Sequence, residues 1–278
     1  MTAIALALAA SLAWGCSDFL GGLQTRRQHL LGVLLVSQAA GLTIMLPVAL
    51  LSGEALPSGA GALWAMTDGL AELIAFAAFY RALAIGTMHL VAPIAGTGAL
   101  VPLSVDLIAG HRPGPFAAAG LVLALGGVAL TSWEGHPDGA RLTRGAGLAV
   151  VAAFGFGLFF VGLDAAADSG VWWPVVYNRL GSLGALSLVA LAMRRPPVVA
   201  RSSAGAVAAV GILDVGANAL FVGALGQGVA GVVSVLGSLY PLTTVALAWL
   251  LLRERASLPQ GVGVAGALAG VALVSLAG

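Results

Sequence analysis

Charged residues near the middle of long apolar stretches are the first candidates for chemistry in this chain. Glu72, Arg179 and Asp214 lie in such positions, and Asp68 and Asn218 stand four residues from Glu72 and Asp214, so each pair shares one helix face. An ionisable side chain at mid-depth in a membrane costs about 2.5–3.5 kcal/mol on insertion scales, so these residues are rarely without a role. They could bind a polar solute or carry a proton, whereas we expect Asp68, one turn closer to water, to be solvated.

A structural role is the alternative for Glu72, Arg179 and Asp214. One acid could form a buried ion pair with Arg179, while the other stays protonated because a low-dielectric surrounding favours the neutral carboxyl group. A buried ion pair is weak evidence of function by itself.

Asp18 lies nearer to a membrane interface, and the functional and structural interpretations are equally open for it. Trp14 and Tyr240 could line a cavity, although aromatic residues in spans more often serve packing or lie at the interface.

Two prolines are candidate hinges. Pro102 and Pro241 each lie inside a predicted span and four residues after a glycine, Gly98 or Gly237. A proline removes a backbone hydrogen-bond donor from a helix. The spacing predicts a paired kink in two helices, and a static packing kink is the alternative to a moving hinge.

The composition requires a membrane environment. Of the 278 residues, 60% are hydrophobic and 8% are charged, against roughly 25% charged in an average soluble domain. The mean hydropathy is +1.03, and the 40 glycines suit close helix approach. The single cysteine, Cys16, excludes a disulfide framework and Cys-based metal sites, and we expect no metal site and no cofactor.

Charged and Pro- or Gly-rich breaks divide the chain into ten candidate membrane spans. Each is close to the roughly 20 apolar residues that cross the hydrocarbon core. The predicted spans are 3–23, 30–52, 60–84, 88–109, 116–133, 145–164, 171–193, 204–226, 229–252 and 260–277. We therefore predict an all-α polytopic membrane protein without a separate soluble domain.

The chain repeats itself after about 140 residues. Five blocks of identical or similar residues recur in order, among them Gly15 with Gly155, Glu72 with Asp214, and 127–130 with 270–273. We predict two five-helix repeats, residues 1–134 and 145–278. Because each repeat has an odd number of spans, the second must be inverted relative to the first, as in many secondary transporters.

The duplication has a consequence for the central charges. Glu72 and Asp214 are equivalent, but Gln38 occupies the position that matches Arg179. We expect Asp214, on the helix that follows Arg179, to be its partner, and Glu72 to lack a cationic partner.

The chain contains the motifs Trp14-Gly15-Cys16-Ser17-Asp18-Phe19, Tyr80-Arg81-Ala82-Leu83, Val91-Ala92-Pro93-Ile94, Leu239-Tyr240-Pro241, and Leu252-Arg253-Glu254-Arg255 followed by Gln260-Gly261. In this order they resemble the ten-helix EamA-type members of the drug/metabolite transporter superfamily, which have two EamA domains. The resemblance extends over essentially the whole chain. It departs at His111-Arg112-Pro113, where the family often has Gly-Glu-Arg-Pro. The resemblance implies carriage of small metabolites or drug-like molecules.

Arginines predict the orientation of the chain. Ten of them flank breaks that follow odd-numbered spans, and only Arg112 flanks a break that follows an even-numbered span. The positive-inside rule then places the odd-following breaks in the cytoplasm and both termini outside. The resemblance implies the reverse orientation, with cytoplasmic termini.

The leading hypothesis is a secondary transporter that works by alternating access, with proton coupling through Glu72 or Asp214 as an open addition. A channel or structural membrane protein is the alternative, and an intramembrane enzyme is less favoured because no H-E-x-x-H or comparable motif is present. We expect a multi-pass protein of the cell (inner or plasma) membrane, monomeric or homodimeric. Its partners would be lipid and a small-molecule substrate, without nucleic acid.

Overall fold

The structure is a computed structural model that describes residues 2–101, 114–131, 133–134, 141–142, 144–165, 172–193, 198–225, 227, 236–237, 239–254 and 257–277. These residues form ten α-helices. The helices are α1 (Thr2–Thr25), α2 (Leu30–Leu51), α3 (Gly59–Ile85), α4 (Met88–Gly96), α5 (Pro115–Thr131), α6 (Ala146–Ala165), α7 (Trp172–Ala192), α8 (Arg201–Leu225), α9 (Tyr240–Leu252) and α10 (Leu258–Ala277). A two-residue antiparallel pair, β1 (Trp133–Glu134) with β2 (Arg141–Leu142), lies in the connection between α5 and α6. The architecture is the predicted helical one.

Five of the described helices are long and apolar enough to cross a membrane by length and composition. They are α1, α2, α3, α7 and α8, over Thr2–Thr25, Leu30–Leu51, Gly59–Ile85, Trp172–Ala192 and Arg201–Ala224. Shorter apolar stretches lie in α5, α6, α9 and α10. Many large apolar side chains on these helices are exposed, such as Leu12, Leu50 and Trp64, as lipid-facing surfaces require.

Helices four and nine differ from the predicted spans. Helix α4 ends at Gly96 and continues as a 3₁₀ turn over Thr97–Ala99, although the predicted span ran unbroken to residue 109. Helix α9 begins at Tyr240, eleven residues after the predicted start of 229, and Leu239 before it forms a turn. Residues 102–113 and 228–235 lie outside the described part of the chain.

The most extensive helix contacts follow an exchange rule, whereas smaller ones such as α1–α3 have no comparable image among the described residues. The rule exchanges each of the first five helices with the helix five places later, so that α1 and α6, α2 and α7, and α3 and α8 change places. The contact α1–α8 then becomes α3–α6, α3–α7 becomes α2–α8, and α1–α9 becomes α4–α6. All six of these helix pairs are in contact. The pairs α2–α7, α4–α9 and α5–α10 are their own images and also pack together. The arrangement has the symmetry expected of two equivalent five-helix units.

Two glycines allow the helices around the central charges to approach closely. A Cβ atom at Gly69 of α3 would collide with the carbonyl oxygen of Asn178 in α7, and one at Gly211 of α8 would collide with the carbonyl oxygen of Ser37 in α2. The two contacts are images of each other under the exchange. They set α3 against α7 and α8 against α2 at the depth of the charged residues.

The connections that follow odd-numbered helices meet at one end of the bundle, which we call the Arg-rich end. Gln28 after α1 donates to Ser203 of α8 (3.0 Å) and accepts from the backbone of Ala200 (3.2 Å). Arg26 bonds to Glu254 after α9. At the opposite end, Glu54 in the α2–α3 connection accepts a hydrogen bond from the backbone of Trp172, at 2.9 Å.

Candidate functional site

Arg179 is the centre of a buried polar cluster contributed by four helices. The residue lies in α7 and is 2% exposed. Its Nη1 donates a hydrogen bond to Oε1 of Gln38 in α2, and its Nη2 donates to Oδ2 of Asp214 in α8. The same Nη2 lies 3.6 Å from Oε1 of Glu72 in α3. We call these four residues the central cluster.

The structure brings Glu72, Arg179 and Asp214 together, and one expectation about them needs correction. Asp214 is the direct partner of Arg179, as expected, but Glu72 also lies within ion-pair distance of the same guanidinium group. The reason is geometric, since the equivalent helices α3 and α8 flank α7 and α2, so both acids reach the same place. Oε2 of Glu72 and Nε of Arg179 are buried and have no hydrogen-bond partner among the described residues.

The central cluster holds two acids and one base. With all three residues ionised it carries one negative charge, and in a low-dielectric surrounding an uncompensated charge is costly. The uptake of one proton or one monovalent cation would neutralise the cluster. That charge balance is the main chemical property of the site.

The residues of the central cluster correspond to one another in the predicted sequence repeat. Arg179 bonds to Gln38, its own counterpart, while Glu72 and Asp214 are counterparts of each other. A pair of equivalent residues can meet only near the axis that relates two equivalent units. The cluster therefore lies where the two sets of helices meet.

A small cavity lies beside the cluster. It has room for about one water molecule. The residues that line it are Leu34, Ser37, Gln38, Phe76, Tyr80, Arg179, Val210, Gly211 and Asp214. A solute larger than water could enter only after the surrounding helices separate.

Two polar residues, one in the cluster and one beside it, have roles that sequence reasoning missed. Gln38 received attention only as the counterpart of Arg179, yet it bonds directly to the guanidinium group. Asp68, expected to be solvated, is half-buried and accepts a hydrogen bond from the side chain of Asn178, at 3.3 Å. For Gln38, the available signal in the sequence was its match to Arg179 in the repeat. For Asp68, the available signal was its i, i+4 spacing to Glu72.

Trp14, Asn218 and Tyr240 form a second group on α1, α8 and α9. Nε1 of Trp14 donates to Oδ1 of Asn218 (3.1 Å), and the indole meets the ring of Tyr240 edge-on with centroids 6.4 Å apart. Phe221 packs against the same indole at 5.3 Å. Asp18, one turn after Trp14 on α1, is buried at 6% exposure and lies within electrostatic reach of Asp214.

Of the two candidate hinge prolines, the structure describes only Pro241. Pro102 lies outside the described residues. Pro241 lies in the first turn of α9, where a missing backbone donor is tolerated, and not in the middle of a continuous helix as the predicted span implied. It packs closely on Gly96, the last residue of α4. The helical breaks at 97–99 and before Tyr240 lie on the N-terminal side of both prolines.

Fold and site together define a polytopic helical membrane protein with a buried charged cluster between two sets of helices. Residues 143–276 match the sequence model of the EamA-like transporter family. The C-terminal half of the chain is therefore similar to an EamA-like transporter domain, which confirms the predicted resemblance to the drug/metabolite transporter superfamily. The predicted class of polytopic membrane protein is confirmed with it.

A solved crystal structure extends the fold similarity to the whole chain. It is 17% identical in sequence, with a TM-score of 0.67, and the match covers 99% of this chain and 96% of that one. At this identity the likeness shows the fold alone. No curated protein sequence matches the chain significantly.

Proposed function

We propose that the protein is a secondary transporter that moves a small metabolite or drug-like solute across the membrane by alternating access. The exchange symmetry of the helix contacts carries the proposal, because two equivalent units can tilt in opposite senses around a shared centre. The EamA-like domain in the C-terminal half supports it. We also propose that the protein is located in the cell (inner or plasma) membrane.

The central cluster is the proposed binding site for the solute or a proton, with Asn218, Trp14, Tyr240 and Asp18 beside it. Its position between the two units supports this assignment, because a site on the axis can face either side as the units move. The small volume of the cavity supports a conformation in which the described residues leave no room for a solute at the cluster. Opening on either side would enlarge it.

Proton coupling through Glu72 is a finer part of the proposal. Glu72 is the acid at the longer distance from Arg179, and its second oxygen has no partner among the described residues. Glu72→Gln should keep solute exchange but remove the dependence of flux on a pH gradient. A variant that remains fully gradient-driven would exclude coupling at this residue.

Pro102 and Pro241 are the proposed hinges of helices four and nine. Helices α4 and α9 pack together, and the breaks in helical geometry that precede both prolines support movement there. Replacing both prolines by alanine should slow flux and leave solute affinity largely intact, because conformational steps often limit turnover. Unchanged flux would make them packing features.

The experiment that tests the function starts from purified protein. A thermal-shift screen against metabolites would identify a ligand, and flux of that ligand would then be measured in proteoliposomes. The expected result is saturable flux that Arg179→Gln abolishes and Arg27→Gln, an exposed charge control, leaves unchanged. Conductance far above carrier turnover would favour a channel, and a protein without ligand or flux would favour a structural role.

A further inference from the structure

Three charged or titratable side chains from distant parts of the sequence meet at the Arg-rich end. Nη2 of Arg26 lies 3.1 Å from Oε1 of Glu254, and Oε2 of Glu254 lies 3.3 Å from both the backbone nitrogen and Nδ1 of His89. Arg26 also donates to the carbonyl oxygens of Leu83 (3.2 Å) and Gly86 (3.1 Å). We call Arg26, His89 and Glu254 the end cluster.

The end cluster joins elements that belong to different five-helix units. Arg26 directly follows α1 and His89 lies in the first turn of α4, whereas Glu254 follows α9. Glu254 is held in place because α9 ends with Arg253 in the left-handed region, at φ 56°, and the backbone nitrogen of Glu254 donates to the carbonyl of Ala248. Any movement that separates α1 and α4 from the end of α9 must break these contacts.

A buried apolar layer lies between the end cluster and the central cavity. Phe19, Tyr80, Leu83 and Met88 are almost completely buried and belong to one core. Tyr80 lines the central cavity, and Leu83, one turn later on α3, offers its carbonyl to Arg26. The route from the Arg-rich end to the cavity is therefore closed by this layer, with the end cluster over it.

We propose that the end cluster is a latch, and that the central cavity opens to the Arg-rich end only when Glu254 separates from Arg26 and His89. This proposal rests on the alternating access proposed above. The contacts suit a reversible latch, since the Arg26 and Glu254 side chains are 28% and 13% exposed and a partly solvated ion pair is only modestly stabilising. The cavity opens only after the apolar layer has also parted.

The latch belongs to one end of the protein. In the sequence, Arg26 matches Ala166, and the residues that match Glu254 lie within 111–115, which contains no acid. The opposite end has different contacts. The Glu54 side chain accepts a hydrogen bond from the backbone nitrogen of Trp172, and the Glu54 carbonyl oxygen accepts one from Trp173 Nε1 at 3.2 Å. Loss of the latch should therefore favour opening towards the Arg-rich end alone.

Spin labels on the two connections would test the latch without any substrate. In a Cys16→Ala background, His29→Cys and Leu258→Cys place labels at exposed positions beside Arg26 and Glu254. We expect one short distance in the parent protein, and an added longer-distance population in Glu254→Gln. Arg27→Gln, an exposed arginine next to Arg26, is the matched control and should keep the single short distance. Arg26→Gln is the second latch variant if Glu254→Gln does not fold.

Access to the cavity is the second measurement. Ser37 lines the cavity and is buried, so Ser37→Cys in the same background reports access through the rate of thiol labelling. We expect the latch variants to raise this rate severalfold and Arg27→Gln to leave it unchanged. A single short distance in both latch variants, or a longer distance with unchanged labelling, would overturn the proposal. Neither readout needs flux, so a failed transport assay and a failed latch are distinguishable.

Discussion

Arg179 is the residue on which the central cluster depends for its stability. Asp214 accepts a hydrogen bond from it, whereas Glu72 stands 3.6 Å away. Asp214→Asn would leave a buried guanidinium group without its direct charged partner, and breaking a buried pair costs about 3–5 kcal/mol. Glu72→Gln should cost clearly less, because it removes the more distant acid and keeps the hydrogen bond between Arg179 and Asp214.

Melting temperatures of the two variants in detergent would check this order. Glu72→Gln is the matched control, since it makes the same acid-to-amide change at the equivalent position of the other unit. Equal losses for both variants would show that Arg179 depends on the two acids alike.

Glu254 gives the end cluster a defined pH dependence. Burial raises the pKa of Glu254, but hydrogen bonds from His89 and Arg26 outweigh burial and lower it below its ordinary value of 4.5. A lowered folded-state pKa means that the stabilisation is present above the unfolded value and is lost as the pH falls through the folded value. Glu254→Gln should therefore reduce the melting temperature at neutral pH, by the equivalent of about 1 kcal/mol or less.

The same comparison at about pH 3 should show a smaller difference between Glu254→Gln and the parent protein. Arg27→Gln serves as the control for a general effect of charge at this end. A difference that stays constant from neutral to acid pH would mean that the ionised carboxylate of Glu254 contributes nothing.

Sequence reasoning found the central charges because a charge inside an apolar stretch is conspicuous. Glu72, Arg179 and Asp214 could be selected in that way, and the repeat already related the two acids. Gln38 and the bond between Asp68 and Asn178 were missed because neutral amides carry no such signal. The shared position of both acids at one guanidinium group depends on helix packing, which no local pattern reports.

At the scale of helices, Gly211 sets the distance between α8 and α2. A Cβ atom there would collide with the backbone of Ser37, so Gly211→Ala should force the helices apart and cost about 1–3 kcal/mol. Gly216 on the same helix has open space around it, and Gly216→Ala should be neutral or stabilising by about 0.5–1 kcal/mol.

Thermal melting of both glycine variants would separate packing from helix propensity, since propensity favours alanine equally at the two positions. If Gly211→Ala melts at or above the parent temperature, α2 and α8 can adjust without loss. The close approach would then not be needed to hold Gln38 and Asp214 around Arg179.

The helix boundaries were predictable where the chain itself carries the stop signals. The second span was predicted as 30–52, and helix α2 covers Leu30–Leu51. The third span was predicted as 60–84, and helix α3 covers Gly59–Ile85. Both were predictable because the Ser-, Gly- and Pro-rich segment between them interrupts the apolar sequence. The 3₁₀ turn at Thr97–Ala99 was not predictable. Gly98 packs there against the backbone of Ala153 in α6, and hydropathy carries no record of such a contact.

At the scale of the whole molecule, the orientation of the chain in the membrane can be tested. The structure gathers the connections after odd-numbered helices at one end, and ten of the twelve arginines flank those connections in the sequence. The positive-inside rule then predicts that this end faces the cytoplasm. A reporter fused after Arg195 should read cytoplasmic, and one fused after Gly278 should read external.

A third fusion after Leu56, in the α2–α3 connection, is the internal control and should agree with the reporter after Gly278. Cytoplasmic reading at Gly278 together with external reading at Arg195 would restore the orientation that the family resemblance implies. The latch at the Arg-rich end would then face the outside.

The contact between Arg179 and Gln38 bears on the ancestry of the chain. If the two units descend from one gene that once acted as a pair of identical subunits, each position near the axis was occupied twice by the same residue. Two arginines so placed would have repelled each other, whereas two glutamines could have bonded. Under that descent, a lone arginine opposite glutamine became available only after the gene had been duplicated and the two copies could mutate separately.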